Sequence, residues 1–136
     1  MMDSDFVSED GGRYGAEDDP ETYAVIGAAM EVHNHLGWGL SEPIYQESLE
    51  IECCARGIPV GREMPIPIFY KGQRLKKSYR LDFLAFGNLV VEAKALSRWS
   101  GEEESQVLSY LKATRLKRAL ILNFGAPRLS VKRMML

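Results

Sequence analysis

The segment Leu89-Val90-Val91-Glu92-Ala93-Lys94 restricts the fold of this chain more than any other. Three apolar residues in succession leave neither face of an extended strand polar, so the strand belongs inside a sheet. The same strand then carries a carboxylate and an ammonium two residues apart, on one face. Such charges are costly in an interior unless they are paired or hold a ligand. The fold must therefore bring a partner to Glu92 and Lys94.

Asp82, on the preceding extended segment, is the candidate. A two-residue turn at Gly87-Asn88 pairs residue 86 with 89 and sets Asp82 opposite Ala93, on the wrong face. A three-residue loop, Phe86-Gly87-Asn88, pairs 85 with 89 and sets Asp82 opposite Glu92. Such loops end in a residue of positive φ, which Gly and Asn tolerate best. Two facing carboxylates hold a hard cation such as Mg²⁺ or Mn²⁺ through oxygen. The cation lowers the pKa of a bound water and neutralises charge developing on a phosphodiester, while Lys94 orients the hydroxide or stabilises the transition state. An interior Asp82–Lys94–Glu92 ion-pair network without a ligand satisfies the same spacing, so spacing alone leaves both readings open.

The remaining segments build a sheet around this strand. Residues 1–20 are rich in Gly, Asp, Glu and Ser without apolar period and are expected to be disordered. Residues 21–36 read as a helix burying Tyr23, Ile26, Met30 and Val32, which Gly37-Trp38-Gly39 ends. A second helix, N-capped by Ser41, runs to about residue 56, burying Ile44, Leu49 and part of 51–55. Residues 58–70 read as an edge or bulged strand, because Pro65 and Pro67 both lack a donor on one side. Lys71-Gly72-Gln73 is a turn, 74–86 a strand and 89–95 the central strand. A helix over 102–114 and strands at 119–124 and 129–134 complete the order α-α-β-β-β-α-β-β. The fold class is α/β, with one mixed sheet flanked by helices and a single domain over residues 21–136.

Charge is uneven. Residues 1–21 hold eight acids and one base, whereas the remainder carries 16 bases against 11 acids. A basic body suits a polyanion partner, and equally suits an ordinary basic surface behind a solvated tail. No apolar run is long enough to span a bilayer, so the default expectation is a soluble, cytoplasmic protein without a membrane partner. Cys53-Cys54, adjacent on a helix, diverge too far to bridge and read as buried or half-buried thiols. His33 and His35 diverge on their helix and cannot share a metal; they read as surface or helix-end residues. Trp38 and Trp99 are expected to cover the edge of the core. Arg74, Lys76, Lys77 and Arg80 either contact phosphates or discourage edge pairing.

Several motifs in order carry a family resemblance. Gly39-Leu40-Ser41-Glu42-Pro43-Ile44-Tyr45 matches G-x-x-E-x-x-Y, and it is followed by Tyr-Arg-Leu-Asp, Val-Glu-Ala-Lys, Gln-Val-Leu-Ser-Tyr-Leu and Leu-Asn-Phe-Gly. In these the chain resembles the GxxExxY proteins, a branch of the PD-(D/E)XK nuclease superfamily, from about residue 23 onward. The resemblance implies a restriction-endonuclease-like core with Asp82, Glu92 and Lys94 as the metal and catalytic triad. It further implies that Glu42 approaches the site from its helix. Gln106 with Tyr110 resembles the Q-x-x-x-Y element of the RecB-like branch, where the pair would position a phosphate or the lysine; Tyr45 and Tyr110 are candidate substrate contacts. Glu102-Glu103-Glu104 stand where phosphate would be repelled, though acids also favour a helix start.

The expected function is a Mg²⁺- or Mn²⁺-dependent nuclease acting on DNA, with RNA as the second choice of substrate. Asp82, Glu92 and the Ala93 carbonyl would be metal ligands, with Lys94, Glu42 and Gln106 assisting. Specificity would come from nucleic-acid structure, a second copy of the chain (a homodimer) or a partner protein. The alternative is a non-catalytic module of the same fold that binds nucleic acid or protein.

Overall fold

The computed structural model describes residues 6–9 and 19–136. Its elements are β1 (Phe6–Ser8), α1 (Pro20–Leu36), α2 (Glu42–Ala55), β2 (Val60–Tyr70), β3 (Gln73–Ala85), β4 (Leu89–Lys94), α3 (Glu102–Thr114), β5 (Arg118–Asn123) and β6 (Leu129–Met135). The expected order thus stands, with one strand added at its start. All six strands join a mixed sheet in the order β1-β6-β5-β4-β3-β2. β4 and β5 run parallel with α3 as their crossover, as a parallel pair requires.

Disorder throughout residues 1–20 is corrected at Phe6–Ser8. These residues pair in parallel with Leu129, Ser130 and Val131 and cover the open edge of β6. Phe6 packs on the core, and its carbonyl accepts from Arg128 Nη2 at 3.1 Å. Asp19 and Pro20 are ordered too, because Asp19 caps α1 by accepting from Thr22 N at 3.1 Å. Residues 1–5 and 10–18, where that expectation also fell, lie outside the described residues.

Helices α1 and α2 cover one face of the sheet, and α3 covers the other. α1 is buried along Val25, Ile26, Ala28, Ala29, Met30 and Val32, whereas Tyr23 is only half-buried. A one-sided stripe underestimates this, because α1 packs against both the sheet and α2. On α2 the inward stripe is Tyr45, Leu49 and Cys53, each one helical turn apart. Tyr45 takes the inward position expected of Ile44, so Ile44 and Ile51 are exposed. Cys53 is buried, its thiol pushed up to about 12 chiefly by burial, and Cys54 is exposed rather than half-buried.

β2 is the edge strand its prolines require, with a register shift between Pro67 and Phe69. Several smaller expectations fail. His33 is buried, with Nε2 2.9 Å from the Ala126 carbonyl oxygen, whereas His35 is exposed. Trp38 is exposed, against expectation, while Trp99 is half-buried, packs on the α3-side core as expected and donates to Ser130 Oγ at 3.0 Å. A tight bolt joins the α1 start to the sheet: Asp19 accepts from Arg118 Nη1 at 2.6 Å and from Arg133 Nη2 at 2.9 Å.

Candidate metal centre

The β3–β4 turn has the expected register but not the expected backbone. Ala85 pairs with Leu89, Leu84 with Val90 and Phe83 with Val91. Positive φ falls on Phe86 (55°) and Gly87 (74°), not on Asn88. The Asn88 amide donates to the Ala85 carbonyl at 3.1 Å, closing a tight turn. Phe86 tolerates this uncommon conformation because its own amide donates to the Pro59 carbonyl at 2.8 Å. Arg118 holds Asn88 from outside at 2.8 Å.

Beyond Phe83↔Val91 the two strands part, and side chains replace the next rung of the ladder. The Asp82 amide donates to Glu92 Oε2 at 2.8 Å, and the Ala93 amide donates to Asp82 Oδ2 at 2.9 Å. Each carboxylate thus satisfies a backbone donor of the opposite strand, which interior amides need. β3 also turns over here: Leu81 belongs to the α3-side core, whereas Phe83 belongs to the opposite one. On the paired strand β2, Glu63 takes a φ of 54° and drops out of the register between Arg62↔Phe83 and Met64↔Leu81. A local irregularity of this kind re-aims a side chain, and Asp82 stands at the pivot.

Four further residues converge on the fork. Lys94 Nζ donates to Gln106 Oε1 at 2.9 Å and lies 3.9 Å from Glu92 Oε1. The ammonium is therefore held by α3 more closely than by its neighbouring carboxylate. From the other face, Gln46 Nε2 donates to Glu42 Oε1 and to Asp82 Oδ2, both at 3.2 Å. Gln46 links the α2 carboxylate to the sheet, and sequence reasoning missed it. The signal was available, since Glu42 and Gln46 are four apart on one helical face.

Electrostatics at the fork are dominated by burial. Glu92 is pushed up to about 8, first by burial and then by the Asp82 charge, against the Asp82 amide and Lys94. Asp82 is raised by burial, opposed by the Ala93 amide, Lys94, Gln46 and Arg80. Glu42 is raised by burial and by Asp82, opposed by Lys94 and Gln46. Tyr110 borders the same cluster: burial, then Glu92 and Asp82, push its hydroxyl up to about 12, and its ring packs 5.3 Å from that of Tyr79. Three carboxyl groups thus share the neighbourhood of one ammonium, and burial holds the proton on Glu92 up to about pH 8.

Tyr45 does not join the cluster. Its hydroxyl donates to the Gly37 carbonyl at 2.8 Å and accepts from the Leu40 amide at 3.2 Å, and its ring stacks on Phe124 at 4.8 Å. The residue ties the α1–α2 loop to the core, so its place among substrate contacts is withdrawn. The acids before Gln106 are also largely committed elsewhere. Glu103 accepts from the amides of Ser100 and Gly101, and Glu104 pairs with Lys132 at 2.5 Å, leaving Glu102 exposed.

The donor set suits a hard divalent cation: the carboxyl oxygens of Asp82 and Glu92 meet at the fork, with Glu42 tied in through Gln46. Among the described residues no group of three or more His, Cys, Asp and Glu is spaced as a cage. Mg²⁺ needs no such cage, since it keeps several waters and binds through one or two carboxylates.

Comparison with known families gives a match to the PD-(D/E)XK nuclease superfamily over residues 19–134. The chain belongs to the PD-(D/E)XK nuclease superfamily. Its six-stranded mixed sheet and three helices are consistent with the restriction-endonuclease-like fold of that superfamily. PD-(D/E)XK enzymes are generally divalent-metal-dependent. The match does not extend to the narrower GxxExxY assignment, which rests on residues 39–45 and the motifs after them. No curated protein and no solved structure gives a significant match. None of the helices among the described residues is long and apolar enough to cross a membrane.

Proposed function

We propose that this PD-(D/E)XK chain is a Mg²⁺- or Mn²⁺-dependent nuclease that hydrolyses phosphodiester bonds of DNA. One observation carries the reading: Asp82 and Glu92 face each other where β3 and β4 part, with Lys94 aimed from the side by Gln106. An ion-pair network alone explains this poorly, because Lys94 lies 3.9 Å from Glu92 and bonds to an uncharged amide instead.

Asp82, Glu92 and the Ala93 carbonyl are the groups that would hold the cation, which supplies an activated water and neutralises phosphate charge. Lys94, fixed by Gln106, presents its remaining donors to a phosphate oxygen and stabilises charge that grows there in the transition state. Gln46 orients the Asp82 carboxylate and keeps Glu42 beside it. Tyr110 walls the site on the α3 side. The family resemblance of residues 39–45 supports membership of the GxxExxY branch, and the excess of bases over acids beyond residue 21 (16 against 11) supports a polyanionic substrate.

The test is cleavage of linear duplex DNA with Mg²⁺ by the wild type and by Asp82→Asn and Glu92→Gln. Metal-dependent cleavage that falls at least about 100-fold in both variants is expected, the usual scale for losing a principal charge-stabilising group. Equal cleavage by wild type and both variants would refute the assignment. Folded wild-type protein that neither binds Mn²⁺ nor cleaves favours the non-catalytic module.

A further inference from the structure

The hairpin formed by β2 and β3 extends well past the sheet. β3 has 13 residues, yet β4 covers only Phe83, Leu84 and Ala85. Met64, Ile66 and Tyr79 still rest against the α3-side core, but every residue from 69 to 78 is exposed. These ten residues bury little (Leu75 is still 43% exposed), so they add little to fold stability, and a two-stranded ribbon is marginal in water by itself. Its turn, Lys71-Gly72, has positive φ at both positions (46° and 81°), the geometry that continues a tight twisted ribbon.

The ribbon's chemistry is one-sided. Between Met64 and Leu81 there are five bases (Lys71, Arg74, Lys76, Lys77 and Arg80) and no acid. Phe69 and Tyr70 at its end are 59% and 63% exposed, and Lys71 Nζ lies 5.5 Å over the Tyr70 ring. The ribbon is also the direct continuation of the strand that bears Asp82. Arg80 stands close enough to act on the Asp82 carboxyl and the Tyr110 hydroxyl. From Asp82 to the turn the chain spans about 30 Å at the usual rise per residue, roughly nine base steps of B-DNA.

We propose that the β2–β3 ribbon enters the major groove of duplex DNA and holds the duplex so that a phosphate lies at the Asp82–Glu92 fork. A major groove about 12 Å wide admits a two-stranded ribbon. The major groove of A-form RNA is deep and narrow and does not. The bases contact the phosphates flanking the groove, and Phe69 and Tyr70 meet base edges and thymine methyls. The inference deepens the nuclease reading by naming the form of substrate that site receives, and it is tested by binding rather than by cleavage.

The experiment measures binding of a blunt 30-base-pair DNA duplex, and of the same sequence as an RNA duplex, in EDTA across a salt series. The full-length wild type is compared with the triple variant Arg74→Ala/Lys76→Ala/Lys77→Ala. All three side chains are exposed, so circular dichroism and Mn²⁺ thermal shifts should match those of the wild type. The expected result is at least tenfold weaker DNA binding and a log–log salt slope reduced by about 2–3, one counterion per lost phosphate contact. The wild type should bind the RNA duplex at least tenfold more weakly than the DNA duplex. Unchanged affinity in the triple variant, equal binding of the two duplexes, or no DNA binding by wild type overturns the proposal. If the ribbon governs binding but no cleavage occurs with Mg²⁺, the catalytic reading falls and the ribbon stands. If both proteins cleave and bind alike, the ribbon falls and the catalytic reading stands.

Discussion

Replacing Glu92 by Gln should make the metal-free protein more stable at alkaline pH while leaving it unable to act. Glu92 is 2% exposed and its folded pKa is raised from 4.5 to about 8, first by burial and then by Asp82. Below pH 4.5 the residue is protonated in folded and unfolded chains alike and has no effect on the balance. Between 4.5 and about 8 the unfolded chain releases the proton while the folded chain keeps it, so stability falls as pH rises. Above about 8 both are ionised and the loss is complete, at up to about 5 kcal/mol for a rise of that size. Gln keeps an oxygen to accept from the Asp82 amide but carries no titration. Urea denaturation in EDTA, run from pH 5 to 9 on both proteins, isolates the difference. The variant should match the wild type within about 1 kcal/mol at pH 5 and exceed it by about 3–5 kcal/mol at pH 9. Parallel stability curves would show that Glu92 titrates as it does in the unfolded chain, and the account of a charge-strained fork would be wrong.

Other outcomes test other parts of the structure. Gln106→Ala releases Lys94 from its 2.9 Å partner and should lower kcat about tenfold with little change in denaturation midpoint. Tyr45→Phe removes both hydroxyl bonds to the α1–α2 loop, and should cost about 1–3 kcal/mol in chemical denaturation while catalysis persists. Asp19→Ala removes a buried carboxylate from between Arg118 and Arg133 and should cost about 3 kcal/mol by urea denaturation at pH 7. Because the bonds from Thr22 and Arg133 outweigh burial and hold Asp19 below the usual carboxylate range, the wild type should lose that advantage as pH falls below 4. Gly125→Ala would set a Cβ 2.4 Å from the Leu96 carbonyl oxygen, and should lower stability by about 1–3 kcal/mol or more, seen as a lower Tm.

The arithmetic of residue spacing carried far into the site. Requiring Asp82 on the face of Glu92 selected the register Ala85↔Leu89, and that register is present. The backbone that achieves it was hidden, because Phe86 rather than Asn88 takes the positive φ, and propensity argues against Phe there. Pattern also placed β2 at an edge from two prolines. It misjudged α2, since Ile44 and Tyr45 are both apolar enough to face inward and only packing against Phe124 decides between them. Strand β1 was illegible for another reason: three residues among acids and glycines have no period, and only the open edge of β6 gives them a partner. Gln46 was not singled out, and Asn123 entered only as one letter of the Leu-Asn-Phe-Gly motif. Yet Asn123 Oδ1 accepts from the Leu96 amide at 2.7 Å, fixing the loop that leaves β4 just after Lys94.

The parting of β3 from β4 has a consequence for observing the protein in solution. The amide protons of Asp82 and Ala93 are guarded by carboxylates, whereas those of the neighbouring rungs are guarded by the strand backbone. Their exchange with deuterated solvent is therefore a clock wound by the state of the site. A cation, proton or phosphate that draws Asp82 or Glu92 away should speed exchange at these two amides more than at Phe83 and Val91, whose strands stay paired. The fork thus carries its own pair of built-in probes, readable in an isotope-labelled sample without substrate or turnover.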